Sequence, residues 1–255
     1  MKILLSLLLG YISFLAGQSL VQAKPVPANT TANQPKKVSF NPPQPPAGEP
    51  APGGRVRGGA RRGLCPSVKP PLTALAPYTE GPPTVMNVWG LTTEAHPTLM
   101  FYVPYSRPAT YPTQFVLQDQ QSNTIYQKAI ALPEKPGIIS ISVPDNITLE
   151  VNKRYRWFLT VDCDPQKESS PTYVEGVMKR VTLDAKVTQK LAKAKPLQRF
   201  EIYLQNGIWH EALKTISQLR QENPKDLVIA EKWQSLLASV RLDDIASQSL
   251  RPNQP

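Results

Sequence analysis

Seven short runs of β-branched and aromatic residues, each closed by a turn signal, occupy most of residues 84–181. Runs of this length and composition read as strands. Leu99-Met100-Phe101-Tyr102-Val103 stops at Pro104, and Gln114-Phe115-Val116-Leu117-Gln118 alternates until Asp119. Polar residues 120–123 then turn the chain into a return strand over residues 124–130. Pro136-Gly137 opens an Ile-rich run that Pro144 closes, residues 154–161 run up to Cys163, and residues 173–181 supply the last strand; residues 84–89 are the first. Their regular spacing predicts a two-sheet sandwich over residues 64–182 rather than an open sheet. A turn over residues 149–153 leads into Tyr155, and Trp157 follows on the same face, as at a tyrosine corner.

From residue 183 to residue 250 the period changes. Asp184 opens a helical spacing of Val187, Leu191 and Ala194, and Pro196 suits the first turn of a second helix. Gly207 breaks that helix, and Trp209, Ala212, Leu213, Ile216 and Leu219 form a stripe that ends before Pro224. Leu227, Ala230, Trp233, Leu236, Leu237 and Val240 form another. Tyr203, Gly207, Ala212, Ile216, Leu219 and Pro224 also carry the spacings of a tetratricopeptide unit. Only about one and a half such units fit, so this region should pack on the sandwich or on a partner.

The N-terminus sets the expected compartment. Lys2, an apolar run to Leu20 and the small residues around Val21-Gln22-Ala23 predict a signal peptide over residues 1–23, cleaved before Lys24. No later segment has the apolar length of a membrane span. An exported chain with only Cys65 and Cys163 should join them in one disulfide. The loop closed is about 98 residues, which the chain-entropy model values at about 4.7 kcal/mol. Such a bridge pins the entry to the first strand onto the end of the sixth, unlike the inter-sheet pair of antibody domains. The expected fold is therefore mainly β: an immunoglobulin-like or fibronectin-like sandwich, not a true immunoglobulin, followed by a short α-helical, tetratricopeptide-like hairpin region.

Residues 24–63 carry nine prolines and a Gly/Arg-rich end, and read as a disordered basic linker. They hold seven Lys/Arg against one acid, whereas residues 64–182 are neutral and residues 183–255 carry a net charge of +3. Residues 251–255 read as a disordered tail. The linker suits an anionic polysaccharide, and its lack of interleaved aromatics argues against nucleic acid.

No nucleophile elbow, metalloprotease helix or phosphate loop is present, so no catalytic, cofactor or metal residues are assigned. His96 and His210 read as ordinary polar residues, and neither lies at ligand spacing from a cysteine. Asp162, Asp164 and Glu175 flank the Cys163 corner and are the acidic candidates for a hydrolase cleft. Aromatics offer better material for binding. Tyr105 and Tyr111 flank a proline-containing turn and are expected to be exposed, as a platform for a sugar or an extended peptide. Trp209 and Trp233 are expected as anchors for a protein partner.

Several motifs in order resemble one family. Gly63-Leu64-Cys65-Pro66, Phe101-Tyr102-Val103-Pro104-Tyr105, Lys153-Arg154-Tyr155-Arg156-Trp157, Cys163-Asp164-Pro165-Gln166 and Val174-Glu175-Gly176 are similar to the secreted cyanobacterial family called domain of unknown function 928. The resemblance covers roughly residues 55–248, implies export and offers no catalytic residues to carry over. The expectation is an exported, non-catalytic envelope or secreted interaction module with a protein partner. A carbohydrate-binding module is the alternative, and a hydrolase the third.

Overall fold

The computed structural model describes residues 38–252 apart from 46–47, 60–63, 82–84, 108, 165 and 167–168. The expected signal peptide, residues 24–37 of the expected linker and residues 253–255 lie outside the described residues. Two sheets form. One has three strands in the order β1 (Thr73–Ala74), β4 (Thr98–Val103), β7 (Gly137–Ser142). The other has six, in the order β2 (Tyr78–Gly81), β3 (Val85–Thr92), β9 (Thr172–Arg180), β8 (Arg154–Val161), β5 (Thr113–Gln118), β6 (Thr124–Ala129). All pairs are antiparallel except β3 with β9.

Alternation puts one face of each central strand inside. Strand β8 buries Tyr155, Trp157, Leu159 and Val161, and β5 buries Thr113, Phe115 and Leu117. The Phe101 ring of the smaller sheet stands edge-on to Phe115 and Trp157 of the larger, with centroids 6.1 Å and 5.5 Å away. Such pairs add to simple area burial. Strand β4 is buried at every position, because the larger sheet covers one face and a helix the other. The tyrosine corner forms: the Glu150 N–H donates to Tyr155 Oη at 2.8 Å. Two of the family-like motifs also meet, since Trp157 lies opposite Gly176. A Cβ at Gly176 would fall 2.4 Å from Trp157 Cζ2 and 2.6 Å from Val88 Cγ1, so only glycine leaves room for the indole.

Four helices follow: α1 (Ala185–Lys193), α2 (Pro196–Gln205), α3 (Trp209–Glu222) and α4 (Leu227–Ser239). Asp184 caps α1 by accepting from the Lys186 N–H, and Asp226 caps α4 through Val228 and Ile229. Pro196 takes the first position of α2, where its missing N–H costs nothing. The described residues belong to one compact unit, and strands and helices share its core.

The part of the expected disordered linker that the structure describes is instead packed. Phe40 is 2 % exposed, with its ring 4.9 Å from that of Trp209, and Val56 is 1 % exposed. Arg55 exchanges backbone hydrogen bonds with Glu175, and Ala74 donates to Val56. Arg154 and Arg156, two apart on β8, donate to the carbonyls of Pro50 and Pro52, two apart on the strap. Average composition over forty residues concealed two apolar anchors and a strand-like pitch. The expected disordered tail needs the same correction at its start, where Arg251 donates to Ile138 O beside β7.

Candidate functional site

Helix α3 is fixed to the end of β3 by an unusual run of consecutive polar or amphipathic side chains. Trp209 Nε1–H donates to Leu75 O at 2.8 Å. Next to it, His210 lies on Gly90, where a Cβ would come within 2.9 Å of Nε2. One oxygen of the buried Glu211 carboxylate, Oε1, accepts from the Thr92 hydroxyl and from the N–H groups of Thr93 and Glu94. Burial raises the Glu211 pKa, and those three donors oppose the rise. Lys214 completes the junction with a salt bridge to Glu94 at 2.9 Å.

Burial holds the His210 pKa at about 4, below its ordinary 6.5. The folded state thus refuses a proton that the unfolded chain accepts. This contribution to stability is complete above about pH 6.5 and is lost as pH falls towards 4, reaching about 3 kcal/mol. Urea unfolding of the protein and of His210→Gln at pH 7, 5.5 and 4 tests this. The difference between the two should shrink or reverse as pH falls. Parallel profiles would show that His210 does not titrate across folding.

The sequence-predicted binding residues are mostly internal. Trp209 and Trp233 are 0 % exposed, and Trp233 Nε1–H donates to Ala246 O at 2.9 Å, so both serve the chain's own core rather than an outer anchor surface. Their stripes are filled by Phe40, the sheet and the 3-10 turn Asp243–Ile245. Tyr105, expected to be exposed, is 7 % exposed, and its ring stands edge-on to the half-buried Tyr111 at 5.8 Å. Burial raises the Tyr105 pKa, with Tyr111 adding to the rise. The pair is packed against itself and does not form a flat platform. Cys65 and Cys163 are bonded, which fits an extracytoplasmic location. The acidic candidates are spent locally: Asp164 accepts from the Gln166 and Ser169 N–H groups, Asp162 from the Asp164 N–H, and Glu175 pairs with Arg156. His96 Nδ1 lies between the carbonyls of Pro144 and Ile147.

What sequence reasoning missed is a cleft of about 460 Å³ where the end of β9 meets α1 and α2. Arg180, Arg199 and Tyr203 line it with Val181, Leu183 and Leu191. Each guanidinium is held by carbonyls: Arg180 donates to Thr93 O and Leu149 O, and Arg199 to Leu191 O and Ala194 O. Among the described residues, no carboxylate forms a salt bridge with either. Lys186, Lys190, Lys193 and Lys195 stand on or beside α1, and Asp184 is the only acid from residue 180 to residue 199. The lysine run was visible in the sequence; the meeting of Arg180 and Arg199 at one cleft, which none of those lysines lines, needed the fold.

A second, polar cleft of about 320 Å³ separates α3 from the outer face of β4 and β7. His96, Ser140, Ser142, Lys214, Gln218 and Gln221 line it. Among the described residues, no helix is long and apolar enough to cross a membrane. No curated protein and no solved structure matches the chain. A family model does match, over residues 57–250, which takes in both sheets and all four helices; the chain belongs to the family described as Domain of Unknown Function (DUF928).

Proposed function

We propose that this protein is an exported, non-catalytic interaction module whose contact surface for an anionic partner is the basic cleft between β9, α1 and α2. The observation that carries the reading is the pair Arg180 and Arg199, fixed by carbonyls and, among the described residues, without a carboxylate partner, on a segment that also carries four lysines outside the cleft lining. Immobilised cations on a low-dielectric wall concentrate anions, and the attraction weakens with salt. We read the scaffold as an immunoglobulin-like or fibronectin-like sandwich, which the tyrosine corner supports, carrying a tetratricopeptide-like hairpin made of α2 and α3. The protein or polysaccharide met in the envelope or outside the cell is then recognised by charge rather than by the buried tryptophans.

Titration with fluorescently labelled polygalacturonate tests this. Binding should weaken at least tenfold between 50 and 200 mM salt, as expected of an interaction screened by ions. The variant K190Q/K193Q should weaken it several-fold at low salt while leaving the melting temperature unchanged, because both lysines are exposed. Absence of binding by the folded protein, to this polymer and to a small organic anion alike, would remove the assignment. A carbohydrate-binding reading is favoured by the hydroxyls and amides of the second cleft. It requires a neutral polysaccharide whose binding is lost in Q218A/Q221A and indifferent to salt.

A further inference from the structure

We infer that the cleft at Arg180 and Arg199 takes a single anionic amphiphile, an alkyl or acyl chain ending in a phosphate, sulfate or carboxylate. This rests on the reading of the basic cleft given above and narrows its ligand. A plain polyanion needs only positive charge. This cleft offers two kinds of surface at once: the fixed guanidinium groups, and an apolar wall from Val181, Leu183, Leu191 and the Tyr203 ring. Burial raises the Tyr203 pKa, with the nearby Glu211 and Glu94 adding to the rise and Arg199 opposing it, so Arg199 lies within electrostatic reach of the ring.

Helix α1 gives the second, independent observation. It has nine residues and none is buried. A helix this short is marginal without tertiary packing. Val187, Leu191 and Ala194 are only half-covered, and Leu191 and Ala192 border the cleft. The opposite face carries Lys186, Lys190 and Lys193. An apolar chain laid along the cleft would complete the burial of that edge, while the headgroup meets Arg180 and Arg199. Complementarity of both charge and polarity selects the amphiphile over a wholly hydrophilic anion. The cleft volume of about 460 Å³ lies within the usual range for a small-molecule site.

Calorimetry with the full chain and dodecyl phosphate, kept below its micelle concentration, tests the inference. Expected is saturable one-to-one binding that tightens with chain length. Full burial of a methylene is worth about fourfold, so going from octyl to dodecyl phosphate in an open cleft should gain at least about tenfold. Arg199→Gln, an exposed position, should weaken dodecyl phosphate at least tenfold, and amide exchange over residues 187–194 should slow on binding. Arg180→Gln should weaken it similarly, read only if its melting temperature is retained, since Arg180 also ties two loops. Dodecyl maltoside and inorganic phosphate should bind at least tenfold more weakly. Equal affinity for octyl and dodecyl phosphate, or for the neutral detergent, would overturn the amphiphile. So would association with anionic vesicles without saturable binding of the monomer. If polygalacturonate binds and dodecyl phosphate does not, the amphiphile fails and the charged-cleft reading stands; if neither binds, both fail.

Discussion

Trp209→Ala should lower the unfolding free energy by about 4 kcal/mol, in the range for removing a large aromatic from a core. Three losses combine. The indole fills space between Phe40 and the sheet, with none of its surface exposed. Its N–H satisfies Leu75 O, an interior carbonyl that the substitution would leave bare. Removing it also loosens the start of α3, where His210 and Glu211 are placed against β3. For a chain of this size the melting temperature should fall by roughly 8–16 °C. Trp209→Phe keeps most of the ring volume but not the donor, and should cost about 1–3 kcal/mol. Thermal denaturation of the three proteins decides it. Unchanged melting of Trp209→Ala would show that this residue is spare to the core and free for a partner.

Opening the disulfide should have an effect of similar size. Cys65 and Cys163 close a loop with a sequence separation of 98, so reduction, or the double variant C65A/C163A, releases a large amount of chain entropy into the unfolded state. The expected loss is about 4 kcal/mol, within the usual span for native bridges. Because the reduced unfolded chain is more expanded, the denaturant slope should also rise. Guanidinium unfolding with and without reductant measures both. Coincident curves would mean that the bridge is not formed in the purified protein or constrains nothing.

These two residue sets show what the sequence could and could not disclose. Strand positions were legible because alternation is local: Tyr155, Trp157 and Leu159 announce an inward face whatever they pack against. Two helix starts were legible for the same reason, since Asp184 and Pro196 act within one turn. The cysteine pair needed only its number and an expected compartment. The destination of a face was a different matter. A stripe such as Trp209, Ala212 and Ile216 looks alike whether it meets a partner or the chain's own sheet, and here Phe40 and β3 claim it. Phe40 itself sat alone in a proline-rich stretch, where nothing local marks a buried ring. Tyr105 stands beside a polar turn that suggests exposure, yet its ring folds back onto Tyr111. The basic cleft was divided between residues 180 and 199, with no motif to join them before the helices did.

The strap over residues 38–59 has a consequence for the order in which this protein can finish folding. Its contacts are of two kinds: Val56 and Gly58 bond to residues 72–74 soon after them, whereas Arg57 pairs with Asp244 across 187 residues and Phe40 packs on Trp209. The early contacts can form with β1, whereas the distant ones need α3 and the turn after α4. Full closure therefore waits for the C-terminal helices, and contacts of such long range belong to slow-forming topologies. A truncation that removes residues 241–255 would therefore be felt some 187 positions earlier, where Arg57 loses both Asp244 and the Arg241 carbonyl.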